Sequence, residues 1–409
     1  MSNWEWKKIG DVAEIKGRIG FRGYTKSDLV KKGEGAITLS PSNIKDNKLF
    51  FDNCSYISWA KYDESPEIQV SIGDIVFCKT ASIGKVAIVE SLPEKTTLNP
   101  QFIVLKKITC NNKYLYYYLF CPELKKKIQA ITTGTAVPTL SQSNFSAIKL
   151  PIPPLAEQKR IVKTLDEKFA KIDKLKTAAE TNLKNAKELF ETTLEKELNP
   201  LSRHSERSEE SGADLPSGWE WKTLGNVCEI LSDLINPTEE KYLNMYHVGG
   251  ANIESETGRI IDLKTSEEEG LTSGKFVFDD SVVLYNKIRP YLKKVARPNF
   301  AGICSADMYP LSPKNGMLKD FLYYILIASD FTDYAIKHSD RAGMPKLNRK
   351  ALFVYEFPLP PLSVQKEIVA RLDKLSENVK RLEANYKQII ADCDELKKTI
   401  LKQTFQGGN

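Results

Sequence analysis

The side chains best suited to catalysis or metal binding are few and scattered along this 409-residue chain. Its three histidines, His204, His247 and His338, show no H-x-x-x-H or comparable ligand spacing, so the sequence does not predict a zinc site. Their separation also disfavours a Ser/His/Asp triad. The seven cysteines are an odd number and form no C-x-x-C pair, which indicates reduced, mostly buried thiols.

Two short strings come close to catalytic motifs without completing them. Ala81–Val86 reads ASIGKV, but it lacks the upstream glycine of a phosphate-binding loop and the hydroxyl after Lys85 that would hold Mg²⁺. Asn99–Phe102 reads NPQF, similar to the N-P-P-F type tetrapeptide with which adenine methyltransferases hold a flipped base. Gln101 replaces the second proline, and no glycine-rich cofactor turn precedes the string. A turn before a strand is therefore the favoured interpretation, and the sequence predicts a recognition protein instead of a catalyst.

Two stretches of sequence occur twice in this chain, in the same order. WEWKKIGDVAEI at 4–15 returns as WEWKTLGNVCEI at 219–230, and LPIPPLAEQKRIVKTLD at 150–166 returns as FPLPPLSVQKEIVARLD at 357–373. Each half therefore contains an opening phrase, a divergent middle, a Pro-Pro junction and a charged segment. A chain of this length exceeds one ordinary core, and the repeat predicts two domains.

A long helix is predicted after each Pro-Pro junction. Residues 155–198 and 362–405 contain neither Pro nor Gly, and Pro disfavours helix in the residue before it, so each helix should begin just beyond its junction. From Ile368 to Ile400, apolar residues alternate at spacings of four and three, the pattern of a coiled-coil seam. The first segment keeps an apolar stripe but slips register. Since an isolated helix of this kind is marginally stable, each is expected to cover the other's seam.

The predicted fold class is α+β, with two mixed α/β, β-rich domains, two long antiparallel coiled-coil helices and an internal pseudo-two-fold repeat. The predicted boundaries are a first domain at 1–154, a first helix at 155–198, a linker at 199–218, a second domain at 219–361 and a second helix at 362–405. The linker holds no large apolar residue except Leu201 and Leu215, a composition typical of a flexible spacer.

Charge differs between the two predicted domains. Residues 1–154 hold 21 Lys/Arg and 14 Asp/Glu, a net charge of +7, whereas residues 219–361 hold 17 and 19, a net charge of −2. A basic domain favours a polyanionic partner, although a solvated surface explains the charge alone equally well. In the second domain, acidic residues crowd 239–269, while 286–298 (NKIRPYLKKVARP) has five basic residues and no acid. No apolar run reaches the roughly 20 residues of a membrane span, and no secretory leader precedes Trp4, so a cytoplasmic protein is predicted.

The chain with these repeated strings resembles the specificity subunit of type I restriction-modification enzymes. The resemblance covers 4–405 and rests on WEWKKIGDV and WEWKTLGNV, on GTAVPTLSQSNFSAIKLPIPPLAEQKRIV and AGMPKLNRKALFVYEFPLPPLSVQKEIV, and on VVLYNKIRPYLKKVA. It implies two target-recognition domains that bind a bipartite double-stranded DNA sequence with a non-specific gap. It also implies, as partners, two methyltransferase (modification) subunits and restriction subunits that carry the motor and nuclease. No cofactor is expected on this chain; S-adenosylmethionine, ATP and Mg²⁺ are expected on the partner subunits.

Two copies of one domain on an antiparallel coiled coil would match the dyad of duplex DNA, with the helices fixing the distance between two different half-sites. A coiled-coil adaptor that binds peptide or protein partners would fit the repeated frame equally well. A subunit with intrinsic nuclease activity is a third interpretation, which the missing metal and nucleotide motifs disfavour.

The predicted DNA-binding residues are basic, amide and hydroxyl side chains in loops broken by Gly or Pro. Lys and Arg suit phosphates, whereas Asn, Gln and Arg suit bidentate contacts to base edges. In the first domain they are Arg18, Arg22, Lys79, Thr80, Ser82, Lys85, Thr133, Thr135, Thr139 and Gln142. In the second domain they are Tyr285, Asn286, Lys287, Arg289, Lys293, Lys294, Arg341, Lys346 and Asn348. At each position the alternative interpretation is an ordinary surface residue, and no catalytic or metal-binding residue is predicted.

Overall fold

The computed structural model describes residues 4–134, 137–200, 215–340 and 343–406. The predicted linker at 199–218 lies outside the described residues over 201–214. In the described part of the chain, no helix is both long enough and apolar enough to cross a membrane.

The chain forms many short strands and two very long helices. The strands, in chain order, are β1 (Glu5–Lys8), β2 (Glu14–Gly17), β3 (Leu29–Val30), β4 (Gly35–Leu39), β5 (Ile44–Lys45), β6 (Lys48–Leu49), β7 (Ser55–Ser58), β8 (Ile75–Cys78), β9 (Val86–Ile88), β10 (Thr96–Leu98), β11 (Phe102–Lys106), β12 (Lys149–Ile152), β13 (Glu220–Thr223), β14 (Cys228–Ile230), β15 (Leu234–Ile235), β16 (Tyr246–Val248), β17 (Lys264–Thr265), β18 (Lys275–Phe278), β19 (Val283–Asn286), β20 (Val295–Ala296), β21 (Gly302–Ser305), β22 (Met308–Pro313), β23 (Ser339–Asp340), β24 (Lys346–Leu347) and β25 (Glu356–Leu359). The helices are α1 (Ile9–Val12), α2 (Trp59–Asp63), α3 (Asn112–Leu119), α4 (Pro122–Ile131), α5 (Gln142–Ser146), α6 (Leu155–Leu198), α7 (Leu224–Val227), α8 (Glu240–Leu243), α9 (Lys319–Ile327), α10 (Ser329–Lys337), α11 (Arg349–Phe353) and α12 (Leu362–Gln406).

The predicted long helices are α6 and α12, and each begins one residue after its Pro-Pro junction. The chain divides into two compact units whose limits fall inside these helices. The first unit contains 1–179 and 388–409, and the second contains 180–387. The first unit therefore combines the first repeated domain with the beginning of α6 and the end of α12. The second unit combines the second repeated domain with the end of α6 and the beginning of α12.

A four-stranded antiparallel sheet with strand order β2-β11-β8-β9 separates two cores in the first unit. Neighbouring side chains of a strand point to opposite faces. Ile75 and Phe77 of β8 accordingly join the core that contains the helices, and Val76 and Cys78 join the core shared with the sheet β10-β4-β7-β3.

The second unit repeats this layering on different residues. Its antiparallel sheet has strand order β14-β22-β19-β20. Val283 and Tyr285 of β19 face the helical core, and Leu284 faces the core shared with the five-stranded sheet β15-β18-β21-β16-β17. The alternation in β19 therefore decides which of its side chains meet helices and which meet the other sheet.

Segments of α6 and α12 run antiparallel within each unit. In the first unit, Asp173 pairs with Lys397, and the Nζ of Lys176 lies 2.7 Å from an Asp394 carboxylate oxygen, so numbers rise along one helix as they fall along the other. In the second unit, Arg371 donates to Glu197 at 2.7 Å, and the apolar residues of this helix pair that enter the domain core include Leu194, Leu198, Ile368 and Leu372.

The predicted heptad seam of α12 is only partly buried. Val379 and Cys393 are buried, but Leu382 and Leu396 are 38% and 49% exposed. The reason is that α12 packs against its domains as well as against α6, as the presence of Ile368 in a domain core shows. The set of buried positions therefore departs from a strict coiled-coil repeat.

A buried glutamine fixes the beginning of each long helix to its own domain. Gln158, 3% exposed, accepts from the Asn111 backbone N–H at 2.8 Å and donates to the Pro153 carbonyl at 2.7 Å. Gln365, 1% exposed, accepts from the Leu318 N–H at 2.9 Å and donates to the Pro360 carbonyl at 2.9 Å. This glutamine is the Q of the repeated PPLAEQK and PPLSVQK strings, so the repeat preserves a structural contact.

A tyrosine and an aspartate make a second repeated contact. The hydroxyl of Tyr117 on α3 donates to Asp166 on α6, and the hydroxyl of Tyr324 on α9 donates to Asp373 on α12, the latter at 2.6 Å. Burial is the main cause that raises the pKa of both tyrosines. Each hydroxyl therefore keeps its proton and donates a hydrogen bond to the aspartate. The aromatic helix of each domain is thereby attached to the long helix.

We expect Gln158→Ala to lower the free energy of unfolding by about 2–3 kcal/mol, since it removes the partner of a part-buried Asn111 N–H and of the buried Pro153 carbonyl. Urea unfolding of the full chain measures the change. Gln388→Ala, at an exposed glutamine of α12, is the matched control and should change the free energy by less than about 0.5 kcal/mol. Equal effects of the two substitutions would contradict the attachment role.

Candidate nucleic-acid interface

Three segments of the first unit meet at the ends of β8 and β11. The Lys79 N–H donates to the Gln101 carbonyl at 2.8 Å, and the Leu140 N–H donates to the Lys79 carbonyl at 2.8 Å. The Ala81 N–H donates to the Pro138 carbonyl at 3.0 Å. We call these bonded segments, 79–81, 101 and 138–140, the loop frame of the first unit.

The loop frame brings predicted residues of the first domain together. Thr80 forms an isolated β-bridge with Thr139, which also bridges to Thr133. Ser82 follows Ala81 in the same loop, and Gln142 begins α5 directly beyond the frame, where its side chain donates to the Ile15 carbonyl at 2.8 Å. The further predicted residue Thr135 lies outside the described residues.

Three predicted basic residues of the first domain use their charged groups within the domain. Arg18 is 8% exposed and donates to the Leu98 carbonyl and the Ser65 hydroxyl at 3.2 and 3.3 Å. Burial lowers the pKa of Arg18 from its ordinary value. Arg22 lies 3.6 Å from a Glu67 carboxylate oxygen, and the Nζ of Lys85 donates to the Pro41 carbonyl at 2.8 Å. These contacts give all three a part in holding the domain together.

The NPQF string forms a hydrogen-bonded turn immediately before β11. The side-chain oxygen of Asn99 accepts from the Gln101 N–H at 3.0 Å, and its side-chain amide donates to the Gln101 side-chain oxygen at 3.0 Å. Asn99 is 8% exposed. The turn therefore presents the Gln101 carbonyl to Lys79 and occupies the asparagine with local bonds.

The second unit has the same loop frame, made by residues 287–289, 307 and 345–347. The Lys287 N–H donates to the Asp307 carbonyl at 3.2 Å, and the Leu347 N–H donates to the Lys287 carbonyl at 3.0 Å. The Arg289 N–H donates to the Pro345 carbonyl at 2.8 Å. An isolated bridge between residues 288 and 346 stands where 80 and 139 bridge in the first unit. The two frames therefore share their backbone bonding although their side chains differ.

The predicted residues at the end of β19 are largely buried. Tyr285 is 2% exposed and packs in the helical core, where its hydroxyl has no hydrogen-bond partner among the described residues. Asn286 is 8% exposed and accepts from the Ile288 N–H at 3.1 Å. Lys287 is also 8% exposed; its Nζ donates to the Ala306 carbonyl and lies 5.0 Å from the centre of the Tyr309 ring. Burial, followed by the nearby charge of Lys346, lowers the pKa of Lys287.

Two further predicted lysines are engaged inside the second unit. The Nζ of Lys293 lies 3.4 Å from a Glu191 carboxylate oxygen on α6 and donates to the Ser329 hydroxyl at 3.3 Å. The Nζ of Lys294 donates to the Gly250 carbonyl, as that of Lys85 does to a carbonyl in the first unit. Both amines thus stabilise the domain.

The other predicted residues of the second domain lie on the loop frame or next to it. Arg289 is exposed and Lys346 half-buried. Asn348 caps α11 by accepting from the Ala351 N–H at 2.8 Å, as Ser141 caps α5 by accepting from the Asn144 N–H at 3.1 Å. Arg341 lies outside the described residues.

Sequence reasoning missed an exposed apolar residue at the tip of each loop frame. Val137 and Met344 are 56% and 53% exposed, and each precedes the proline whose carbonyl accepts from residue 81 or 289. The signal was available as AVPTL and GMPKL in the strings that carry the resemblance. Among the residues that the structure describes, no cluster of three or more His, Cys, Asp or Glu is placed to hold a metal ion.

A loop frame that recurs with different side chains, on two β-rich domains carried by long helices, defines a duplicated recognition protein. Residues 1–185 and 216–391 match the model of the family described as type I restriction modification DNA specificity domain. Because the match covers most of the chain, this protein belongs to that family. The predicted family and the α+β fold class are thereby confirmed.

Known relatives agree with this assignment. The chain is 30% identical to the type I restriction enzyme EcoDI specificity subunit of Escherichia coli over 74% of its own length and 71% of the relative. It is 25% identical to the putative type I restriction enzyme MjaX specificity subunit of Methanocaldococcus jannaschii over 99% and 93% of the two chains.

Solved structures share the fold. One, from work on complex assembly and conformational transition of the type I R-M system, aligns over 100% of this chain and 99% of its own with a TM-score of 0.72 at 19% identity. The HsdS subunit of Thermoanaerobacter tengcongensis aligns over 100% and 97% with a TM-score of 0.54 at 20% identity. At these identities the likeness supports the fold alone.

Proposed function

We propose that this chain is the DNA-recognition subunit of a type I restriction-modification enzyme and that it binds a bipartite target with two different half-sites. The observation that carries the proposal is the loop frame, which recurs in both units with the same backbone bonds and different side chains. One architecture that presents two sets of side chains suits the reading of two different sequences. The frame also holds loops rigidly, which sequence-specific base contacts require.

The proposal assigns no chemistry to this chain. The relatives are named as specificity subunits of restriction enzymes, and the partners proposed for this chain are two modification subunits and the restriction subunits. Methyl transfer and cleavage would then reside on those partners, together with S-adenosylmethionine, ATP and Mg²⁺. The buried basic residues of the two units, such as Arg18 and Lys287, would support the DNA-binding loops without touching DNA.

Disrupting the gene is expected to remove one methylated bipartite motif from the genome of its host, because methylation at that motif would depend on this recognition subunit. Sequencing that detects methylated bases before and after disruption measures the change. Restoring the intact gene should return the motif, which controls for indirect effects. Loss of no motif, or loss of a contiguous motif, would contradict the proposal.

A coiled-coil adaptor for peptides is the competing function, and salt separates the two. Binding of duplex DNA through several phosphates should weaken by about 10³-fold or more between 50 and 200 mM salt. Binding of a peptide in an apolar groove should change little over that range. A fluorescence-anisotropy titration of the assembled enzyme with duplex DNA measures the dependence.

A further inference from the structure

The shared loop frame places residues 81 and 289 at equivalent positions in the two units. Residues 81 and 289 each donate their backbone N–H to the carbonyl of the proline in the facing segment. Both also have a positive φ, 60° for Ala81 and 52° for Arg289. Two backbones with the same bond and the same uncommon conformation occupy the same place in their units.

Arg289 differs from the other basic residues of 286–298 in having an unengaged side chain. Lys287 and Lys294 donate to backbone carbonyls, Lys293 contacts Glu191 and Ser329, and Arg297 donates to two aspartates at 3.0 Å. Throughout the described residues, the structure gives the exposed guanidinium of Arg289 no hydrogen bond, ion pair or ring contact. Four of these five side chains therefore serve the domain, and one remains for a ligand.

The backbone at Arg289 is held in a conformation that arginine does not favour. A positive φ is uncommon for residues other than glycine, asparagine and aspartate, and such positions cluster where function requires a fixed geometry. Here the bond to Pro345 and the bond from the Leu292 N–H to the Arg289 carbonyl, 2.9 Å, fix both sides of the residue. The backbone from which the Arg289 side chain extends is therefore rigid and pre-organised.

The surroundings of Arg289 favour a base edge over a phosphate. Met344, 53% exposed, immediately precedes the proline that binds the Arg289 N–H, and an apolar side chain suits a thymine methyl group better than a charged backbone. A guanidinium offers two parallel donors that match the O6 and N7 atoms of guanine, the commonest specific contact in the major groove. In the first unit the same tip carries Ala81 and Val137, which offer no such donor.

Building on the DNA-binding function proposed above, we propose that Arg289 reads a guanine in the half-site bound by the second unit. Ala81, at the equivalent place in the first unit, reads no base by hydrogen bonding. This pair is then one determinant of the difference between the two half-sites.

The test uses the complete enzyme, assembled with its modification subunits, and records methylation across a library of targets that varies each base of the wild-type motif. Arg289→Ala should relax discrimination at one G·C pair of one half-site by about 10- to 100-fold and leave the other half-site unchanged. Arg289→Lys should relax it less than Arg289→Ala, because the lysine amine can still donate to guanine O6 and N7 but lacks the planar fork. Arg289→Gly, which suits the positive φ, should relax it without lowering the melting temperature.

Three controls make the outcome decisive. Arg381→Ala removes an exposed arginine of α12 in the same unit and should leave the motif unchanged. Ala81→Gly keeps the backbone of the first frame and should also leave the motif unchanged. Exchange of residues 231–356 identifies which half-site follows the second unit.

Several results would overturn the inference. A uniform loss of affinity with an unchanged motif and a weaker salt dependence in Arg289→Ala would show a phosphate contact. An unchanged motif with unchanged affinity in Arg289→Ala, or relaxation in the half-site of the first unit, would reject it as well. A wild-type enzyme with no bipartite motif would instead reject the proposed function, so the two failures are distinguishable.

Discussion

Exchanging residues 16–149 for the corresponding segment of another specificity subunit is expected to replace one half of the methylated motif completely and to leave the other half intact. The exchanged segment contains the whole loop frame of the first unit, whereas Gln158 and Asp166, which attach the domain to α6, remain in place. Sequencing of methylated motifs in cells that express the hybrid measures the result.

The design of the hybrid follows from the repeated contacts. The donor segment should supply a tyrosine at the place of Tyr117, since its hydroxyl binds Asp166. The matched experiment exchanges residues 231–356, keeps a tyrosine at the place of Tyr324, and should replace the opposite half of the motif. If either hybrid altered both halves together, the two units would not recognise DNA independently.

Phe405→Ala should lower the free energy of unfolding by about 3–5 kcal/mol, the usual cost of emptying a buried phenylalanine site. Phe405 is 6% exposed in the core of the first unit, and its ring lies edge-on to Tyr114 and Tyr118 at centroid distances of 5.5 and 5.3 Å. Edge-to-face contacts of this kind add to the burial of apolar area. Urea unfolding followed by circular dichroism measures the loss.

Leu396→Ala is the control for that substitution. Leu396 lies on the same helix and in the same unit, but it is 49% exposed, so its truncation should cost under about 1 kcal/mol. A comparable loss from both substitutions would contradict the difference in burial between Phe405 and Leu396 that the structure shows.

Local rules were sufficient to predict the long helices. Proline restricts the backbone of its neighbours wherever it occurs, so the two Pro-Pro junctions marked the helix starts at Leu155 and Leu362. The repeated strings likewise marked a repeated fold. Their glutamines, Gln158 and Gln365, now have a physical explanation in paired buried hydrogen bonds.

Contacts between distant residues could not be predicted from residue type. Lys293 looks like a DNA-binding residue in a basic stretch, but it contacts Glu191, which lies 102 positions earlier. Arg18 is similarly engaged by the Leu98 carbonyl, 80 positions later. The equivalence of Ala81 and Arg289 rests on backbone bonds and dihedral angles, which the types of the two side chains do not reveal.

The compact units also depart from the linear domain order, for the same reason. A chain read from one end suggests that residues 1–154 fold as one body, yet the core of the first unit includes Cys393, Leu401 and Phe405. Helix amphipathicity predicted that an apolar face must be covered. The amphipathic pattern did not predict that the first domain would cover the apolar face at the C-terminal end of α12.

The contribution of α12 to the first unit constrains the order of folding during synthesis. Domains usually fold in the order in which they leave the ribosome. Here Cys393, Leu401 and Phe405 are translated after every residue of the second unit, which ends at Lys387. The core of the first domain therefore stays incomplete until the second domain has been synthesised, because Tyr114 and Tyr118 lack the ring of Phe405 until then. The domain that is made first thus completes its core last, and part of its apolar surface stays uncovered while the second domain is synthesised.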